Sequence, residues 1–101
     1  MHLVEILLPL FRNDGTKQPG ALFAEVREEL VERFGGLTAF SRSPAEGLWA
    51  DDGEVSHDQI VIFEVMAEQL EPHWWADYRR QLEARFDQEV IVVRAREVTL
   101  L

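Results

Sequence analysis

The chain has 101 residues, 47% of them hydrophobic, and a formal net charge of −9 from 10 basic and 19 acidic side chains. That length suits a single two-layer domain over residues 1–101 and is too short for two cores. The acidic balance repels phosphate backbones, so nucleic acid is not an expected partner. Without cysteine there is no disulfide, thiol nucleophile or thiolate metal site.

The first residues, Met1-His2-Leu3-Val4-Glu5, lack a basic n-region, and the apolar run after them is too short for a signal peptide or a membrane span. The expectation is a soluble, cytoplasmic protein with no membrane partner. Leu3 to Leu10 is a nearly continuous apolar run closed by Pro9 and a turn-rich segment, which predicts a buried strand. Residues 12–20 concentrate turn formers, with Asp14-Gly15 suited to a positive φ.

From Ala21 to Phe34, Phe23, Val26, Leu30 and Phe34 recur at three- and four-residue steps, with Glu25, Glu28, Glu29 and Glu32 on the other side. This predicts an amphipathic helix with a solvated acidic face. Gly35 supplies the left-handed residue that ends such a helix, and Leu37–Phe40 reads as the next strand. Ser43 to Gly53 reads as a loop, with Asp52-Gly53 as the tight turn of a long hairpin arm. Gln59–Met66 is the returning strand. Pro72 fits the first turn of a second helix with the stripe Trp74, Tyr78, Leu82 and Phe86. Val90–Arg96 is the last strand. Leu-x-x-Arg-Phe ends both helices, at 30–34 and 82–86, a short internal repeat.

The order βαββαβ with both helices on one face of an antiparallel four-stranded sheet is the ferredoxin-like, α+β arrangement. It places the first and third strands, the two most hydrophobic, at the centre. Strand alternation sorts the sheet residues into two faces. Val4, Ile6, Leu8, Val61, Phe63, Val65, Ile91, Val93 and Ala95 fall under the helices. Leu3, Glu5, Leu7, Thr38, Phe40, Arg42, Ile60, Ile62, Glu64, Val90, Val92, Arg94 and Arg96 fall on the open face.

So many aliphatics on an open face exceed the patch a small monomer tolerates. Packing against a second copy would hide them, giving a homodimer in the form of an α+β barrel. Glu5, Glu64, Arg94 and Arg42 then have two readings. They pair across the sheet and fix the dimer register, or they form a ligand pocket with a carboxylate as general base and an arginine as anion anchor.

Trp49 is either a lid over this face or a buried anchor for its arm. His57, between Ser56 and Asp58, is either an acid, base or ligand or a surface histidine. Trp75 falls off the second helix's stripe and is a candidate dimer or ligand contact. Glu64 and His57 are the candidate catalytic groups. His2, His57 and His73 have no metal-ligand spacing, so no metal is assigned, and no motif calls for a cofactor.

In Phe34-Gly35-Gly36-Leu37-Thr38-Ala39-Phe40, Gly47-Leu48-Trp49 and Trp74-Trp75-x-x-Tyr78-Arg79-Arg80-x-Leu82-x-x-Arg85-Phe86, the chain resembles a group of small bacterial proteins with a ferredoxin-like fold and no assigned function. The resemblance implies the fold and carries no catalytic residue. More distantly it is similar to dimeric α+β barrels, which include cofactor-independent monooxygenases acting on hydrophobic compounds. The expected function is a homodimer that binds a small molecule, or acts in regulation or structure, through its open sheet face. The alternative is a small cofactor-independent barrel enzyme, monooxygenase- or isomerase-like, acting on a hydrophobic or anionic molecule.

Overall fold

The computed structural model describes the backbone of residues 1–51 and 54–101 and the side chains of residues 1–40 and 59–101. The elements are β1 (His2–Pro9), α1 (Gly20–Phe34), β2 (Thr38–Asp51), β3 (Glu54–Ala67), α2 (Pro72–Arg85) and β4 (Val92–Glu97). They form one antiparallel sheet in the order β2-β3-β1-β4. The two apolar strands, β1 and β3, are central, as expected for a ferredoxin-like α+β fold.

The core lies between one sheet face and the two helices. Val4, Ile6 and Leu8 of β1 and Val61, Phe63 and Val65 of β3 pack with Phe23, Val26 and Leu30 of α1 and with Trp75, Tyr78 and Leu82 of α2. Phe86 and Ile91, both buried, close one end of this layer. Period-2 alternation predicted the β1 and β3 contributions residue by residue. On β4 it holds for Ile91, buried just before the strand begins, and for Val93, partly buried against the core, and fails at Ala95, which is exposed. β4 is an edge strand, and the helix layer does not reach its far end. Val90, placed on the open sheet face, precedes the strand and is 65% exposed.

Trp75, not Trp74, belongs to the core of α2: Trp75 is buried and Trp74 half-buried. At about 100° per residue, a strict four-residue stripe drifts round the helix. Starting from Tyr78, Leu82 and Phe86 advance in the direction that contains Trp75 and leaves Trp74 at the margin. Both rings are nonetheless engaged. Phe34 stacks on Trp75 with centroids 5.2 Å apart, Trp74 stacks on Tyr78 at 4.9 Å, and the Arg33 guanidinium lies 4.0 Å over Trp74 while donating to Glu71 at 2.6 Å.

The acidic face of α1 is also less solvated than its pattern suggests. Arg85 of α2 donates to both Glu29 oxygens, at 2.5 and 2.9 Å, and lies 3.2 Å from Glu25, and the Tyr78 hydroxyl donates to Glu29 at 3.0 Å. These bonds, led by the one from Arg85, hold the Glu29 carboxyl below its ordinary range, and burial pushes Tyr78 up. The network clamps the two helices together across their outer edge.

Two glycines sit where left-handed backbone is needed, Gly15 at φ 87° in the turn before α1 and Gly35 at φ 80° closing α1. Gly35 N–H donates to the Val31 carbonyl at 2.8 Å. The turn segment is tied down by Gln18, the one buried polar residue of the described core, which donates to the Phe86 carbonyl at 2.9 Å.

The expected loop from Ser43 onward is a strand. β2 runs on to Asp51 and pairs with β3 from Ala45↔Ile60 to Asp51↔Glu54, after a register shift between Phe40 and Ala45. The pairing with β3 decides this stretch against its Pro- and Gly-containing local sequence. β1 meets β3 only from Ile60 onward, so the far part of this hairpin projects beyond the four-stranded region. The expected Asp52-Gly53 turn lies outside the described residues.

Candidate functional site

The face of the sheet away from the helices presents residues in rows across the strands. One row runs Thr38 on β2, Glu64 on β3, Glu5 on β1 and Arg94 on β4, each directly opposite the next. The row on one side is apolar: Phe40, Ile62, Leu7 and Val92. On the other side lie Met66, Leu3 and Arg96. Phe40 is 45% and Met66 50% exposed, while Leu3, Leu7, Ile62 and Val92 are half-buried with no helix over them. Among the described residues the open face is therefore an apolar surface crossed by one polar row, with acids on the central strands and the bases Arg94 and Arg96 on β4.

The polar row joins three of the sequence candidates. Arg94 Nε lies 3.4 Å from Glu5 Oε1, so part of the row is an ion pair across β1 and β4. Glu64 is on the other side of Glu5, and among the described residues no basic side chain lies within ion-pair distance of it. Burial first, then the charge of Glu5 and a hydrogen bond with it, raise the Glu64 carboxyl above its ordinary range, against an opposing pull from Arg96.

Glu64 also lines a cleft of about 280 Å³ at the corner where α1 hands over to β2. Its other walls are Leu3, Phe34, Gly35, Gly36, Leu37, Thr38, Val65 and Met66. The left-handed turn at Gly35 carries the chain from the helix layer around to the open face, and this makes the corner concave. The walls are mostly hydrocarbon. The polar side chains are the Thr38 hydroxyl and the Glu64 carboxyl, a composition suited to a small organic ligand oriented by few polar contacts.

Sequence reasoning placed Glu5, Glu64 and Arg94 on this face and the structure brings them into one row. It missed the cleft. Gly35 ends α1 as expected, and it and Gly36 also form the wall of the cleft. Met66 follows from continuing the period-2 pattern of β3 by one step. Arg42, Trp49 and His57, the other candidates, have side chains outside the described residues. Trp75, a candidate contact, is a core residue. Among the described residues no group of three or more His, Cys, Asp or Glu is arranged to hold a metal ion, and no helix is long and apolar enough to cross a membrane.

No protein-family model matches the chain, and no curated protein matches it. Solved structures do. The divalent cation tolerance protein CutA1 from Thermus thermophilus superposes with a TM-score of 0.63 at 16% identity, covering 99% of this chain and 86% of that one. A phage SAM lyase in complex with S-methyl-5′-thioadenosine gives 0.62 at 16% identity over 95% and 80%. A point variant of CutA1 from Pyrococcus horikoshii gives 0.60 at 11% identity over 100% and 86%. At these identities the likeness establishes the fold.

Proposed function

We propose that the chain, acting as one unit over residues 1–101, is a self-associating protein that binds a small organic molecule on its open sheet face. The simplest assembly is a homodimer, and the ligand site is the cleft beside Glu64. The observation that carries this reading is the position of Glu64: a carboxylate set next to Glu5, with its ionised form disfavoured, at the edge of an apolar cleft of about 280 Å³. A group held in that condition is relieved by a ligand that donates a hydrogen bond or brings a positive charge. The cleft has no basic side chain among its described lining residues, so a neutral or cationic molecule fits better than the anion envisaged from Arg94 and Arg42.

The ligand-bound SAM lyase among the structural neighbours supports a small-molecule role through analogy of fold alone. S-methyl-5′-thioadenosine is accordingly one sensible probe beside simple aryl-alkyl amines. Calorimetric titration of such a panel tests the proposal. A member should bind, and Glu64→Gln should weaken it about tenfold or more. A panel that leaves the protein unbound, or binding indifferent to Glu64→Gln, contradicts the reading.

A second reading is favoured by the Glu5 and Glu64 pair itself: a small enzyme, isomerase- or lyase-like, in which Glu64 takes up a proton from the bound molecule. Turnover of a bound probe that is abolished in Glu64→Gln would select it.

A further inference from the structure

The sequence Leu-x-x-Arg-Phe ends both helices, so the end of α2 is an internal control for the end of α1. After Phe86 the chain turns at Asp87, with φ 52°, and the Gln88 N–H donates back to the Glu83 carbonyl at 2.9 Å, the longer-range bond of a Schellman closure. The Phe86 carbonyl accepts from the side chains of Gln18 and Gln88, at 2.9 and 3.3 Å. After Phe34 the chain turns at Gly35, whose own N–H donates to the Val31 carbonyl, so α1 closes with the simpler single bond. The Gly36 N–H and the Phe34 carbonyl are the counterparts of the Gln88 N–H and the Phe86 carbonyl, and neither has a hydrogen-bond partner among the described residues. Gly36 is also a glycine without a local cause: its φ is not left-handed, and a Cβ on it would meet nothing within 4 Å. What glycine provides at such a position is bare backbone, which another molecule can approach closely.

We infer that the Gly36 N–H and the Phe34 carbonyl are binding groups of the ligand site proposed above, and, resting on that site, that its ligand is a primary carboxamide carried on an apolar group. Phe34, Gly36 and Glu64 line the same cleft of about 280 Å³. They offer it one donor, one backbone acceptor and one carboxylate. A primary carboxamide carries the complement on two bonded atoms, an acceptor oxygen and two N–H donors. Its oxygen accepts from the Gly36 N–H, one N–H donates to the Phe34 carbonyl, and the other donates to Glu64. The apolar group lies against Leu3, Leu37, Val65 and Met66, which also line the cleft. Other polar ends match less of this set. A carboxylate has no donor and is repelled by Glu64. An ammonium serves Glu64 and Phe34 but covers the Gly36 N–H without pairing it, and an unpaired donor costs more than a typical hydrogen bond contributes.

The test titrates benzamide, acetophenone and benzylamine, which share a ring and differ in the polar end, into isotope-labelled protein and follows the backbone amides by NMR. Benzamide should bind about tenfold or more tightly than acetophenone, which keeps the acceptor and loses both donors, and than benzylamine, which has no acceptor for Gly36. The Gly36 amide resonance should move on binding and its hydrogen exchange should slow. Gly36→Leu, which sets a side chain over that amide, should weaken benzamide about tenfold or more while melting close to wild type. The wild-type titration stands without this variant, should it fold poorly. Benzylamine that binds and is weakened by Glu64→Gln, with benzamide held no more tightly than acetophenone, overturns the carboxamide assignment and leaves the ligand site in place. The same holds for a Gly36 amide unmoved at saturation, or a folded Gly36→Leu that binds benzamide as wild type does. Binding by none of the three probes overturns the ligand site itself, and the assignment with it.

Discussion

Glu5 and Glu64 face each other across the two central strands, on the side of the sheet that neither helix covers. Two carboxylates opposite one another in a sheet repel, and the only base paired to either among the described residues is Arg94, which reaches Glu5. A fold under selection for stability alone has better residues for that position. The pair is the observation on which the proposed role of the open face rests.

The raised Glu64 carboxyl gives a pH signature. In the folded chain it holds its proton to higher pH than in the unfolded chain, so stability falls as pH rises from the ordinary glutamate range through the raised folded value. Glu64→Gln should remove that slope and stabilise the protein by about 0.5–1 kcal/mol at neutral pH, the size of an opposed like-charge pair. Urea unfolding at several pH values checks it.

Glu29 has the opposite sign. Its carboxyl is held low, first by Arg85, so its contribution is present above the ordinary glutamate range and is lost as pH falls through its depressed value. Arg85→Ala, which removes the donor that bridges Glu29 and Glu25, should cost about 1 kcal/mol at neutral pH after allowance for solvent exposure. The same unfolding series should show its acid-side dependence reduced.

Gly35 and Gly36 adjoin in sequence but differ in demand. Only Gly35 has a positive φ, and a Cβ at either position meets nothing within 4 Å. Gly35→Ala should therefore destabilise by about 1 kcal/mol through backbone strain, while Gly36→Ala should be close to neutral. Thermal melts of the two variants separate the roles.

Gln18→Leu leaves the Phe86 carbonyl with the longer bond from Gln88, at 3.3 Å, in place of the 2.9 Å one. The expected loss is about 1–2 kcal/mol, measurable by denaturant unfolding, with increased amide exchange in the turn before α1.

The fold was legible because its strongest signals are periodic. Val4, Ile6 and Leu8, and Val61, Phe63 and Val65, alternate cleanly because each strand has one face against helices. Trp74 and Trp75 were exchanged because adjacent aromatics on a helix differ by one angular step, and a four-residue stripe does not state which way it drifts. Ala95 and the arm beyond Ser43 were misread for a related reason. Edge position and strand pairing are properties of the partner, and neither is written in the local residues. Of the site, Glu5, Glu64 and Arg94 could be placed on one face by counting. The cleft could not, since it is a shape created where Gly35 turns the chain from one layer to the other.

Whether the open sheet face is covered in solution is measured most directly by the sedimentation equilibrium mass of the unmodified protein at micromolar concentration. A mass that is a multiple of the 11.7 kDa chain, reduced towards that of the single chain by Phe40→Glu, is the predicted result. A single-chain mass across the concentration range, with the face exposed to water, would contradict it.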